Sequence, residues 1–211
     1  MNMKRPEVLP ITDDHLLQFR KEIDNWVVFS DQEWEILNGH VRLIKIKRKG
    51  HFARVGSVCA HLGFLISGSV RLFHIKDGVE ITAYVTLPNE FVSSYKSFIR
   101  QELGQLGIQA LEDSLVAVFD RQNWEKLLDH PVTAHKTERL GRLITEKLVF
   151  CYEDRLEAFI TKTPAERYEA MLSCRPEMTQ NIPQRYLANY LGITPTSLSR
   201  IRKRITRSGK L

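Results

Sequence analysis

Apolar and polar residues alternate with period two through the first half of the chain. Residues 41–48 alternate apolar with basic side chains, residues 64–75 alternate around a Ser67-Gly68-Ser69 bend, and residues 79–85 and 114–119 repeat the pattern. Successive strand side chains point to opposite faces, so this period predicts strands with one face buried. Lys49-Gly50 reads as a turn and Lys76-Asp77-Gly78 as a hairpin turn. Short strands at near-regular spacing with Gly turns predict a small barrel or sandwich. Ahead of them, residues 10–24 predict a short helix. Thr12, Asp13 and Asp14 supply its caps, and Leu16, Leu17, Phe19 and Ile23 its inner face.

After residue 119 the period lengthens to about 3.6. Asp120 is placed to cap a short helix containing Trp124, Leu127 and Leu128, which His130-Pro131 ends, because the residue before Pro disfavours helical geometry. A long helix follows over residues 132–162. Leu140, Ile144, Leu148, Cys151, Tyr152, Leu156 and Phe159 form its apolar seam, in steps of mostly three and four residues. Two readings of that seam stand open: a helix lying on its own barrel, or a contact between two copies of the chain. Thr163-Pro164-Ala165-Glu166 starts a new helix, with Pro at its first position and Thr and Glu as a capping box.

Residues 184–205 give the sharpest local pattern. Leu187, Ala188 and Leu191 make a helical stripe that Gly192 stops, since Gly takes the left-handed conformation at little cost. Ile193 plugs the turn, Thr194 caps the next helix, Pro195 opens it, and Leu198, Ile201 and Ile205 continue the stripe. This is the layout of a helix-turn-helix, whose second helix enters the DNA major groove.

Charge reinforces that reading. Residues 178–211 carry 7 Lys+Arg and no Asp or Glu, which exceeds the net +6 of all 211 residues. A basic segment that coincides with a helix-turn-helix points to nucleic acid. The 43% hydrophobic content allows packed cores, and no apolar run reaches the ~18 residues of a membrane span. The N-terminal Met1-Asn2-Met3-Lys4-Arg5-Pro6 has no apolar stretch behind its charges, so no secretory signal is expected. The 3 cysteines, Cys59, Cys151 and Cys174, are odd in number and far apart, as in a reducing cytoplasm. They are too few and too scattered for an iron–sulfur cluster, and the histidines show no metal-ligand spacing. No nucleophile–base arrangement or phosphate-cradling Gly loop is present, so an enzyme is not expected.

The order of these segments resembles the Crp/Fnr family of bacterial regulators, the cyclic-AMP receptor and its relatives. The resemblance spans nearly the whole chain. It is carried by residues 64–71, Pro88-Asn89-Glu90-Phe91-Val92, Thr163-Pro164-Ala165-Glu166-Arg167-Tyr168, and residues 186–205. It implies an α+β architecture with three parts: a cyclic-nucleotide-binding-like β-roll (double-stranded jelly-roll) over residues 1–120, a linker and long dimerisation helix over 121–162, and a short-winged helix-turn-helix over 163–211. Cyclic-nucleotide-binding members carry Gly-Glu soon after the equivalent of Phe91-Val92 and Arg-Ser or Arg-Thr ten residues beyond that Glu. Those places hold Ser93-Ser94 and Gly104-Gln105 here, so neither the ribose acceptor nor the phosphate-pairing guanidinium is present. A second register, pairing Glu90 with Arg100, fits the flanking residues less well. Glu90, Phe91, Ser93, Ser94, Gly104 and Gln105 thus line a candidate effector pocket for a small molecule other than cyclic AMP, or for none. No cofactor or metal is implied.

The resemblance also implies a homodimer on near-palindromic double-stranded DNA, with RNA polymerase among its partners, a cytoplasmic location and no membrane association. The expected DNA contacts are Thr194, Thr196, Ser197, Ser199, Arg200, Lys203 and Arg204. Thr194 and Ser197 would meet phosphates at a helix start, and Arg200 would reach a base edge. Pro195 and Thr196 stand where the family's cyclic-AMP receptor has Arg and Glu, so a different operator is expected. Few residues follow Ile205, so the family's wing is expected to be short. The rival reading is a ligand-binding or interaction module without sequence-specific DNA binding; it leaves the acid-free basic end unexplained.

Overall fold

The computed structural model describes residues 6–10 and 12–207. Residues 1–5, where no secretory signal is expected, and 208–211, where a wing would begin, lie outside the described residues. The chain divides into two compact units, the first ending at Glu146 and the second starting at Lys147.

The first unit is a roll of two antiparallel sheets. Its strands are β1 (Glu7–Leu9), β2 (Arg42–Ile46), β3 (His51–Ala53), β4 (His61–Ser67), β5 (Val70–Lys76), β6 (Val79–Thr86), β7 (Phe91–Val92), β8 (Gly107–Ala110) and β9 (Ser114–Asp120). One sheet runs β1-β2-β9-β4-β7 and the other β3-β8-β5-β6. The period-two segments of the sequence are β2, β4, β5, β6 and β9. The Asp77-Gly78 pair closes the β5–β6 hairpin with φ of 51° and 76°, the left-handed pair that matches the twist of two antiparallel strands.

Two helices close one end, α1 (Asp13–Asp24) and α2 (Asp31–Asn38). Thr12 caps α1. Phe19 of α1 is fully buried, with its ring 5.1 Å from Phe64, 5.6 Å from Trp34 and 6.2 Å from Phe119. Phe19 and Ile23 form the inner face as expected, but Leu17 points outward. The helix can bury only the stripe that meets the sheet. Ser30 and Glu33 form a capping box that starts α2. Asp120 caps α4 (Arg121–Asp129) as expected, and His130 leaves it in an extended conformation before Pro131.

The long helix α5 (Ala134–Thr161) crosses from one unit into the other. The second unit continues with α6 (Pro164–Cys174), α7 (Pro176–Asn181), α8 (Gln184–Tyr190) and α9 (Pro195–Arg207). Thr163 and Glu166 make the expected capping box of α6.

Gly68, between β4 and β5, sits at φ +88°, and a Cβ there would lie 2.4 Å from Ser114 Oγ and 2.7 Å from the Asp113 carbonyl. Gly68→Ala is therefore expected to lower stability by about 2 kcal/mol or more, since backbone strain and a backbone clash add; chemical denaturation of the purified variant reads the loss. Burial pushes the His61 imidazole below its ordinary value, with Arg42 adding to the shift and Asp120 opposing it. Burial, and then Arg54, lowers His51 likewise. A histidine held neutral on folding stabilises fully above the unfolded pKa and loses that contribution as pH falls. The urea midpoint is thus expected to fall as pH drops below about 6.5, and His61→Gln to flatten that slope; a slope unchanged by the variant contradicts the assignment.

Candidate nucleic-acid interface

The turn between α8 and α9 is built from its backbone outward. The N–H of Gly192 donates to Asn189 O and that of Ile193 to Ala188 O, both at 3.0 Å, with Gly192 at φ +72°. These are the paired bonds of a Schellman motif, which needs the left-handed residue that Gly supplies. Thr194 then caps α9: its Oγ1 accepts from the N–H of Ser197 at 3.1 Å and lies 3.0 Å from Ser197 Oγ. Leu187, Ala188, Leu191, Leu198 and Ile205 are buried beneath, as the apolar stripe requires.

The opposite side of α9 is exposed. Thr196, Arg200, Lys203 and Arg207 recur at steps of four, three and four, one line along a helix, and all are exposed, as is Arg204. Among the described residues none of these four cations has an acidic partner. Ser197 and Ser199 are half-buried at the margins of that face, and Thr194 is exposed at its start. The structure thus brings Thr194, Thr196, Ser197, Ser199, Arg200, Lys203 and Arg204 onto one surface element. Arg202 points the other way. Its Nε donates to Tyr168 Oη at 2.9 Å and its Nη2 to Thr179 O at 3.4 Å, tying α9 to α6 and α7.

In the roll, the candidate effector residues surround the short helix α3 (Tyr95–Arg100). Ser93 Oγ donates to His61 O at 2.9 Å and lies 3.6 Å from Cys59 Sγ. Ser97 Oγ accepts from the N–H of Cys59 at 2.9 Å and donates to Glu102 O at 2.5 Å. Gly104 pairs with the 56–57 strip through Gly56 N–H (2.7 Å) and Ser57 O (3.0 Å). A Cβ on Gly104 would lie 3.1 Å from Ser94 Oγ. Neutral hydroxyls and backbone groups therefore satisfy one another here. Phe91 packs its ring 5.3 Å from Phe64. Gln105 is exposed, and its carbonyl accepts from His74 Nδ1 at 3.0 Å. Glu90 belongs to the turn before β7, where its carboxylate accepts from the N–H of Leu87 at 2.9 Å. Arg100 ends α3 exposed to water, so the Glu90–Arg100 register forms no buried charged pair.

The seam of α5 divides. Leu140 and Ile144 are 0% and 6% exposed and belong to the core of the roll. They cannot serve a contact between copies, which corrects the single seam expected over residues 140–159. The first turns of the helix therefore follow the reading of a helix lying on its own barrel. Leu148 and Cys151 are half-buried, whereas Tyr152 and Leu156 are 50% and 62% exposed. Val149 and Ile160, absent from the expected set, are also exposed. Val149, Tyr152 and Leu156 recur at steps of three and four, the spacing of a coiled-coil seam, whereas Phe159 packs against Arg155 and Arg167 of its own chain. Thr145 Oγ1 bonds Gly141 O at 2.8 Å and lies 3.0 Å from Tyr95 Oη, which joins α3 to α5 within the first unit.

Sequence reasoning missed the roles of Arg155, Arg167 and Arg202. Arg155, Arg167 and Arg202 bond to groups 35, 24 and 34 residues away in sequence, and no local pattern marks such contacts.

Residues 43–130 match the family model described as cyclic nucleotide-binding domain. No curated protein matches the sequence significantly. Solved structures do match. FixK2 from Bradyrhizobium japonicum aligns with a TM-score of 0.68 at 19% identity, over 80% of this chain and 86% of its own. The c-di-GMP responsive global regulator CLP of Xanthomonas campestris aligns with a TM-score of 0.65 at 18% identity, over 85% and 93%. A regulator of the crp/fnr family from Eubacterium rectale aligns with a TM-score of 0.61 at 16% identity, over 86% and 85%. None of the described helices is long and apolar enough to cross a membrane. The strand order of the roll, the long helix and the helix-turn-helix agree with these comparisons: residues 43–130 are similar to the cyclic nucleotide-binding domain, and the chain has a fold like that of the Crp/Fnr regulator structures.

Proposed function

We propose that the protein is a DNA-binding transcription regulator that acts as a homodimer, with no enzymatic activity of its own. The observation that carries this reading is the outer face of α9. Arg200, Lys203, Arg204 and Arg207 are exposed there without acidic partners among the described residues, on a helix whose other face buries Leu198 and Ile205. Such a face attracts the phosphate backbone and can place an Arg against guanine O6 and N7. Thr194 and Ser197 would meet phosphate at the helix start, Thr196 and Ser199 would reach base edges, and Lys203 and Arg204 would meet the backbone.

The exposed stripe Val149, Tyr152, Leu156 of α5 supports dimerisation through the second half of that helix, and two recognition helices would then meet half-sites about 34–36 Å apart. The domain reading follows: a sensor over 1–120, the linker and dimer helix over 121–162, and the DNA-binding part over 163–211, working in the cytoplasm with RNA polymerase as a partner. The cassette around α3 offers no carboxylate or guanidinium where a cyclic nucleotide would need them. Its Ser93 donates to His61 O, and Ser97 bridges the Cys59 N–H and Glu102 O instead. Control therefore passes through an effector other than cyclic AMP, or through none.

Three outcomes are expected. Fluorescence anisotropy should show binding to duplex DNA that weakens steeply with salt. Arg200→Ala should lose ~1–3 kcal/mol of discrimination between a preferred and a scrambled site. No duplex binding at low salt, or an unchanged ratio in the variant, contradicts the reading. Calorimetric titration with cyclic AMP should give no binding heat; micromolar affinity would show that the cassette contacts lie elsewhere than assigned.

A further inference from the structure

The C-terminal end of α8 leaves carbonyls that its own backbone cannot satisfy. Leu191, Gly192 and Ile193 N–H groups donate to Leu187, Asn189 and Ala188. Tyr190 O and Leu191 O remain, as helix ends generally leave their last carbonyls without an intrahelical donor. Two guanidinium groups from outside the helix-turn-helix take them. Arg155, on α5, donates from Nη2 to Tyr190 O at 2.9 Å. Arg167, on α6, donates from Nη2 to Leu191 O at 2.9 Å and from Nη1 to Lys162 O at 2.7 Å.

The same two groups share one ring. Arg155 Cζ lies 4.8 Å from the Phe159 centroid and 4.2 Å from that of Tyr190, and Arg167 Cζ lies 4.4 Å from Phe159. The Phe159 ring also abuts the turn itself, since a Cβ on Gly192 would stand 2.9 Å from it. Gly192 thus meets two demands, a left-handed backbone and room for a ring. Arg155 is sufficiently withdrawn from water that burial lowers its pKa. A planar guanidinium can stack on a ring and donate in its own plane at once, which an ammonium cannot. Cations also sit well against the negative end of a helix. All these groups lie in the second unit.

We propose that Arg155, Phe159 and Arg167 are positioning residues for DNA reading: they lock the helix-turn-helix turn to the last turns of α5 and so fix the half-site spacing that the dimer accepts. This inference rests on the DNA-binding dimer reading above. None of the three side chains lies on the outward face of α9, so none is expected to touch DNA. A lock of this kind acts on where the recognition helix is held, not on which bases it reads.

The test uses the full chain and a set of operators carrying one half-site sequence, with the central spacer at the preferred length and changed by one or two base pairs. The wild type should discriminate sharply against altered spacers. The double variant Arg155→Lys and Arg167→Lys keeps both charges but loses stack and fork. Its preference for the best spacer should fall by about fivefold or more, with base preference within each half-site retained, as expected when charged hydrogen bonds are weakened. Thermal unfolding checks that the variant is folded. Phe159→Tyr, which keeps the ring, should behave as wild type. Phe159→Leu gives the same readout should the lysine pair not fold. A wild-type spacer profile in a folded Lys–Lys or Phe159→Leu variant overturns the inference alone. Absence of duplex binding by the wild-type chain overturns the DNA reading and this inference with it.

Discussion

The second unit depends on the glycine turn at Gly192. A left-handed residue is needed there to close the Schellman bonds that end α8. A residue without a side chain is needed to admit the Phe159 ring. Once the chain turns at that point, Ile193 follows, Thr194 caps α9, and the amphipathic pattern of α9 decides which residues pack and which face water. The exposed cations are thus a consequence of a turn fixed by backbone geometry. The buried stripe Leu198 and Ile205 anchors the helix, and Arg202 adds polar ties to Tyr168 and Thr179 on the same inner side. Four basic residues left outside, with no acid among the described residues to neutralise them, make a positive field of the kind that attracts nucleic acid.

The roll shows a different economy of charge. Where cyclic-nucleotide binders of this fold place an acid and a base, this chain has Ser93-Ser94 and Gly104-Gln105. Ser97 joins the backbone of Cys59 to that of Glu102, and a Cβ on Gly104 would press on Ser94 and Ser97 at 3.1–3.3 Å. Burying an unpaired carboxylate or guanidinium costs far more than burying a hydroxyl that has found a partner. The hydroxyls of Ser93 and Ser97 therefore find their partners within the chain. Tyr95 on α3 nevertheless meets Thr145 on α5, so the cassette helix and the long helix remain in contact within the first unit.

Much of the fold was legible in the sequence because local rules wrote it. The Asp77-Gly78 hairpin, the Thr163–Glu166 capping box and the Gly192-Ile193-Thr194-Pro195 turn each rest on residues within four positions of one another. The Ser30–Glu33 capping box that opens α2 was equally readable, but no apolar period drew attention to it. The short strands β3, β7 and β8 carry too few residues to show a period. The division of α5 was not legible. Leu140 and Leu156 are alike in type on one helix, and only tertiary packing buries one and exposes the other. The same holds for Arg155, Arg167 and Arg202, whose inward ties join separate helices. A basic residue on an amphipathic helix reads as solvent-facing until its partner is known. For the effector cassette, the sequence indicated which charges are missing, and the structure adds how the vacated polar groups pair.

The central claim is that the acid-free face of α9 reads duplex DNA as one half of a symmetric pair. Sequencing of genomic fragments retained by the purified protein, with and without cell extract, tests it most directly. The account predicts enrichment of a near-palindromic motif whose two halves are spaced by about one helical turn. Fragments retained without a shared motif, or retained only as non-specific background that salt removes uniformly, would contradict it.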